Sequence, residues 1–195
     1  MMSLRRLNDL VTLKAFGKRF TRDDQGVSAI EFAFIAPVLI LLYLGMAELT
    51  LGMMASRRVS HLAATIGDLA AQSQTLTPDN ITDMWKIADS MLEPFSTSGT
   101  SLRIRLTSVT MSSEKTPRPL VDWSQASNTT KYKKGDPVAS ITTNQIAVGE
   151  SLILTEVEYD YDSPLGNFIK DGTVFKESFT HHPRNGEMVT CPLCN

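Results

Sequence analysis

The sequence predicts an α+β protein: a long N-terminal helix, transmembrane and then extracytoplasmic, packed on a small, mainly antiparallel sheet domain. Three observations carry that reading. Residues 32–47 run FAFIAPVLILLYLGMA without a charge. Residues 56–73 keep apolar side chains at steps of three and four, with Val59, Leu62, Ala63, Ile66, Leu69 and Ala70 in phase. From residue 102 the period shortens to two, and it stays so in the later apolar segments. The bulk figures are less informative. The chain has 195 residues and a net charge of −2, so a nucleic-acid partner has no electrostatic basis.

Taken in chain order, residues 1–26 form a basic leader. Leu4, Leu7, Leu10, Val11, Leu13, Phe16 and Phe20 recur at helical spacing among cations. This fits an amphipathic helix on an anionic membrane face, and equally a solubilising, unstructured tail.

Residues 27–55 form the expected membrane span, in which only Glu31 and Glu48 are charged. About 20 residues suffice to cross a hydrocarbon core of roughly 30 Å. Pro37 lacks an N–H for the helix ladder, which membrane helices tolerate where neighbours re-satisfy the freed carbonyl. Arg5, Arg6, Lys14, Lys18, Arg19 and Arg22 precede the span, and Arg57 and Arg58 follow it. Six cations against two put the N-terminus in the cytoplasm. A secretory signal peptide fits poorly, because the apolar run is long and no small-x-small cleavage site follows it.

The near edge of the span holds the sharpest signal. Glu31 sits five residues past Gly26, inside the apolar run, where a carboxylate is costly and usually marks function. A cut after Gly26 would give Val27 a free α-amine, which Glu31 of an adjacent subunit could neutralise. Glu48 lies 17 residues further on, about 25 Å at 1.5 Å per residue. It is placed either against a partner helix or near the outer headgroups.

Gly26-x-x-x-x-Glu31 before an apolar helix resembles the signal of type IV pilins and pseudopilins. The stretch GVSAIEFAFIAPVLILLYLGMAEL, with its Gly45-x-x-Glu48 element, is similar to the TadE-like subunits of tight-adherence (type IVc) pili. RRVSHLAATIGDLAAQS resembles the helix continuation of the same proteins, so the likeness covers about residues 24–73. It implies cleavage between Gly26 and Val27 by a prepilin peptidase. It also implies assembly with other pilin-like subunits through the helix, with Glu31 and Glu48 as contact residues. Its further implications are an inner-membrane, single-pass topology with a periplasmic domain, and work with the pilus assembly machinery. A leader of 26 residues is longer than in major pilins. The alternative is a signal-anchored extracytoplasmic binding protein that is never processed.

Beyond the span, residues 56–95 are expected to extend the helix, with His61 on its surface and Gly67 as a weak point. A second helix is expected over residues 79–92, with Ile81, Met84, Trp85, Ala88 and Met91 on one face and Pro94 as its stop. Residues 96–195 form the extracytoplasmic domain. Strands are expected at 102–110, around 120–123, at 151–161 and at 173–181, and at 124–149 a long polar loop with room for a short helix or strand. Lys131, Lys133 and Lys134 cluster in that loop, as a solvated surface does.

Other chemistry finds little support. Glu156, Glu158, Asp160 and Asp162 alternate along one strand but lack a calcium loop's spacing. His181, His182, Cys191 and Cys194 offer zinc-type donors, yet adjacent histidines in an extended chain point to opposite faces. Cys191-x-x-Cys194 has the spacing of thioredoxin-type redox sites, but no helix follows to lower a thiol pKa. A small structural disulfide loop is the expectation in an oxidising compartment. With no phosphate loop, nucleophile elbow or Ser/His/Asp grouping, no enzyme and no cofactor is expected.

Overall fold

The computed structural model describes residues 25–142, 144–163 and 173–194. Residues 1–24 of the leader and residues 164–172 lie outside the described residues. Helix α1 runs Gln25–Gln72, 48 residues, with Pro37 inside it. Helix α2 is Pro78–Leu92, and the strands are β1 (Leu102–Met111), β2 (Pro119–Ser127), β3 (Ser151–Tyr161) and β4 (Thr173–His181). The chain divides into two compact units, residues 1–47 and 48–195.

In the first unit, every described side chain from Gly26 to Ala47 is exposed or half-buried. At 1.5 Å per residue those 22 residues span about 33 Å. A helix apolar on all sides has no aqueous face, so its solvent is a bilayer or other helices. Phe34 and Tyr43, at 77% and 71% exposure, show how bare it is.

The second unit begins where burial begins. Glu48, Gly52, Ala55, Val59, Leu62 and Ile66 are buried, a run of four- and three-residue steps that forms one stripe. This stripe packs on a four-stranded antiparallel sheet of order β2-β1-β3-β4. Leu102, Ile104, Leu106, Ile153, Val157, Tyr159 and Tyr161 supply the sheet's side of that core. The β1–β3 and β3–β4 registers are continuous: Leu102 faces Tyr159 on β3, and Ile153 faces His181 on β4.

Gly67, which weakens the helix when read from sequence alone, has a packing reason. A Cβ there would lie 2.5 Å from His181 Nδ1 and 2.7 Å from Thr155 Oγ1. The helix rides directly on β3 and β4 at this point, and only a residue without a side chain fits.

The end of α1 is capped from far along the chain. Arg184 N–H donates to Ala71 O (2.8 Å), and Asn185 Nδ2 donates to Gln72 O. These satisfy carbonyls that a helix end leaves without partners. Helix α2 starts with a capping box: Thr77 Oγ1 accepts from Asn80 N–H (3.2 Å), and Asn80 Oδ1 accepts from Thr77 N–H (3.0 Å). Pro78 takes the first turn, where its missing N–H costs nothing, so the helix begins one residue before the expected start. Ile81, Met84, Ala88 and Leu92 are its buried face.

Strand β2 is longer than expected, reaching Ser127, and the connection after it is no simple solvated loop. The register of β1 on β2 shifts between Ser108 and Val109. Beyond that bulge, Val109 and Met111 join Val121, Leu152 and Leu154 in a second core, which Val138, Ile141 and Ile146 of the connection complete. The polar segment therefore folds back over the sheet's outer side, while Lys131, Lys133 and Lys134 stay exposed as expected.

Candidate functional site

The residues singled out from sequence separate into three places. Gly26, Val27 and Glu31 lie in the first turns of α1, all exposed. A Cβ built on Gly26 meets nothing within 4 Å, so among the described residues no packing calls for a glycine there. Val27 is 52% exposed, in a position that burial in the chain's own core does not explain.

Glu48 is different. It is fully buried, although its neighbours Leu49 and Thr50 are exposed, and it accepts a hydrogen bond from Ser163 Oγ. The two acidic residues of the apolar run thus have opposite surroundings.

Arg58 resolves a tension in the charge count. Its Nη1 donates to Met91 O (3.1 Å) at the end of α2, a helix with no basic residue in its own last turn. It is a C-terminal cap, placed where a cation favours the helix dipole. Its presence after the span has a structural cause that is separate from topology.

The cysteines sit in the main core, Cys191 at 5% exposure and Cys194 at 1%. Their Cα atoms are 5.3 Å apart, within disulfide range. The tail that carries them is fastened at several points. Trp123 Nε1 donates to Val189 O (2.8 Å), Gln125 Nε2 to Cys194 O (3.1 Å) and Leu76 N–H to Thr190 O (2.8 Å). That placement fits a structural plug rather than an exposed redox pair. Sequence reasoning had no signal for these fastenings.

The acidic row on β3 is matched by cations across the strands. Arg103 grips Asp160 with two bonds of 2.6 and 2.7 Å and reaches Glu158 at 3.3 Å. Lys176 bonds Glu158 at 2.7 Å, and Arg105 bonds Glu156 at 2.8 Å while lying over the Tyr132 ring. The carboxylates thus brace the sheet instead of offering themselves to a metal. Among the described residues, no group of three or more His, Cys, Asp or Glu could hold an ion. His181 faces Gly67 and His182 is exposed.

These pairings and His181 set a pH dependence. Burial pushes the His181 imidazole below its ordinary 6.5; Asp68 opposes this, and Arg184 adds to it. Its contribution is complete above pH 6.5 and falls as the pH drops towards the lowered folded value, because the unfolded chain then binds the proton more readily. The Lys176 bond lowers Glu158, and the Arg103 bond lowers Asp160, from 4.5 and 3.8. Their contribution is present above those values and is lost below them. Urea unfolding against pH should therefore show two descending steps on acidification. The variant His181→Asn should remove only the upper one; a wild-type curve flat between pH 6.5 and 5 would contradict this.

Against known proteins, residues 26–67 match the family model described as TadE-like protein. The match bears out the TadE-like resemblance over the apolar helix and the first part of its extension. It ends inside α1, before the sheet domain. Neither the curated proteins nor the solved structures gave a match. Among the described residues, one helix, Gly26–Gln72, is long and apolar enough to cross a membrane, as a single-pass anchor requires.

Proposed function

We propose that this chain, TadE-like over residues 26–67, is a minor pilin-like subunit of a tight-adherence pilus. It is made as a prepilin in the inner membrane, with its leader in the cytoplasm and residues 96–195 in the periplasm. A prepilin peptidase cuts between Gly26 and Val27. The mature helix then joins other pilin-like subunits, and the protein primes or stabilises the filament together with the assembly machinery.

The observation that carries this reading is the bare helix with Glu31 near its start. Residues 26–47 are all exposed or half-buried, and Glu31 stands exposed one turn beyond Val27. A new amine at Val27 and a carboxylate on a neighbour would neutralise each other where an unpaired charge is expensive. No described residue crowds position 26, and recognition by a processing enzyme would account for the glycine there. With Arg58 assigned to α2, the cation excess on the leader side is also cleaner. The reading calls for no cofactor and no catalytic residue, and the cysteine pair is taken as a structural disulfide.

The test is the mass and N-terminal sequence of the membrane-extracted protein, from cells with and without the peptidase. A chain starting at Val27 only when the peptidase is present supports the reading. An intact leader in both strains would leave a signal-anchored protein outside any pilus. In the same cells, Glu31→Ala should be processed normally but recovered with filaments about 70-fold less, because an uncompensated charge in the bilayer costs roughly 2.5 kcal/mol.

A further inference from the structure

The structure gives Glu48 a task inside its own chain. We propose that Glu48 and Ser163 form a latch that fastens the entry of α1 onto the end of β3. Glu31 and Glu48 would then divide their work, the first acting between chains and the second within one. This goes beyond the assembly reading and does not depend on processing after Gly26.

Four observations place the latch. Glu48 is the first residue of the second compact unit and the first member of the buried stripe that continues through Gly52, Ala55, Val59, Leu62 and Ile66. It is fully buried, in a position where aliphatic stripe members would be expected, so the carboxylate is kept despite its desolvation cost. Ser163 Oγ donates to it from two residues beyond β3, 115 residues away in sequence. The sheet end they share is an aromatic cluster: the Tyr161 ring meets Phe95 at 5.9 Å and Phe175 at 5.6 Å, and Tyr161 is buried. Burial pushes the Tyr161 phenol above its usual value, and the neighbouring Glu48 charge pushes it further.

This arrangement differs from a point of general stability. The stripe from Ala55 onward is held by apolar contacts spread along the sheet. At residues 48–54 the apolar anchoring is thinner, since Leu49, Met53 and Met54 are exposed, Leu51 is half-buried and Gly52 has no side chain. The Glu48–Ser163 contact thus contributes more to holding residues 48–54 than any one polar contact does further along the stripe, and it can open without unfolding the core.

Hydrogen–deuterium exchange on the full-length chain in detergent tests this, comparing wild type with Ser163→Ala. Amides of residues 50–56 should exchange about tenfold faster in the variant, the scale expected for losing one charge-assisted bond. Amides of β1 and β3 should keep their rates. Unchanged rates at 50–56, or equal acceleration throughout the domain, would overturn the latch. A second experiment guards against misfolded variants. Glu48→Cys with Ser163→Cys, treated with a short bis-maleimide in membranes, should give an adduct within one chain. A cross-linked dimer from Glu48→Cys alone would place this residue between subunits and sink the proposal. An unprocessed chain would still report on the latch, so the two ideas can fail separately.

Discussion

Replacing Trp123 by alanine is expected to lower the unfolding free energy by about 3–5 kcal/mol, the usual cost of emptying a buried indole site. Trp123 is 4% exposed and sits in the main core, opposite Ser108 on β1. Its Nε1 also donates to Val189 O at 2.8 Å, so it holds the tail that brings Cys191 and Cys194 into the core. Two losses should therefore be separable. Trp123→Phe keeps most of the volume and gives up the hydrogen bond, at about 1 kcal/mol. Trp123→Ala should also loosen the tail and make the cysteine pair accessible to mild reductant. Urea unfolding of the full chain in detergent, followed by near-ultraviolet circular dichroism, gives the first quantity, and thiol labelling after mild reduction gives the second. A loss below about 1 kcal/mol for the alanine variant would mean that the tail and indole are not one packed unit.

Gly67→Val should cost about 3 kcal/mol, at the upper end of what overpacking usually does. Ordinarily a glycine inside a helix is a liability, and replacing it by alanine gains up to about 1 kcal/mol. Here the new Cβ would meet His181 Nδ1 at 2.5 Å, Thr155 Oγ1 at 2.7 Å and His181 Cε1 at 2.9 Å. Two of these three atoms belong to His181, so His181→Ala should restore part of the stability lost in the valine variant. That non-additivity is the diagnostic result, because a backbone effect would be indifferent to residue 181. If Gly67→Ala instead raised the melting temperature, the close approach of helix and sheet would be wrong.

Much of the architecture was legible from periodicity. The three- and four-residue steps through residues 56–73 marked the buried stripe, and the Thr173–His181 strand has the bounds that alternation suggested. Strand β2 was cut short because Ser124, Gln125 and Ser127 look like loop residues. Ser124 is in fact buried and bonded to Thr107 at 2.9 Å, a partner that local sequence cannot supply. The bulge at Ser108/Val109 leaves Asp122 of β2 as an extra residue, so Trp123 faces the main core and Val121 the second one, which strict alternation would put on one face. Spaced apolar residues Val138, Ile141 and Ile146 were the available sign of a folded connection, diluted by the polar residues around them.

For the site, local motifs and distant contacts diverge. Gly26 and Glu31 were visible because their meaning lies in spacing along one segment. Glu48 was visible as an oddity, but its partner Ser163 was not. Arg58, Gly67 and Trp123 owe their roles to Met91, His181 and Val189, each reached only after the chain has folded back. Edge strand β4 shows the same limit: Glu177 points to the helix side between Phe175 and Phe179, a charge that discourages another strand from adding there.

The meeting of α1 with the C-terminal tail also dictates an order of events during biogenesis. Ribosomes deliver residues 48–72 early, yet the core they line closes with Val189, Cys191 and Cys194, and the helix end is capped by Arg184 and Asn185. Contacts of such long sequence separation form slowly, because the intervening chain must first be gathered in. On the proposed topology, the domain waits for nearly all of its residues to cross the membrane before it folds. The early helix spends that interval with its stripe uncovered, a natural window for a chaperone on the outer side.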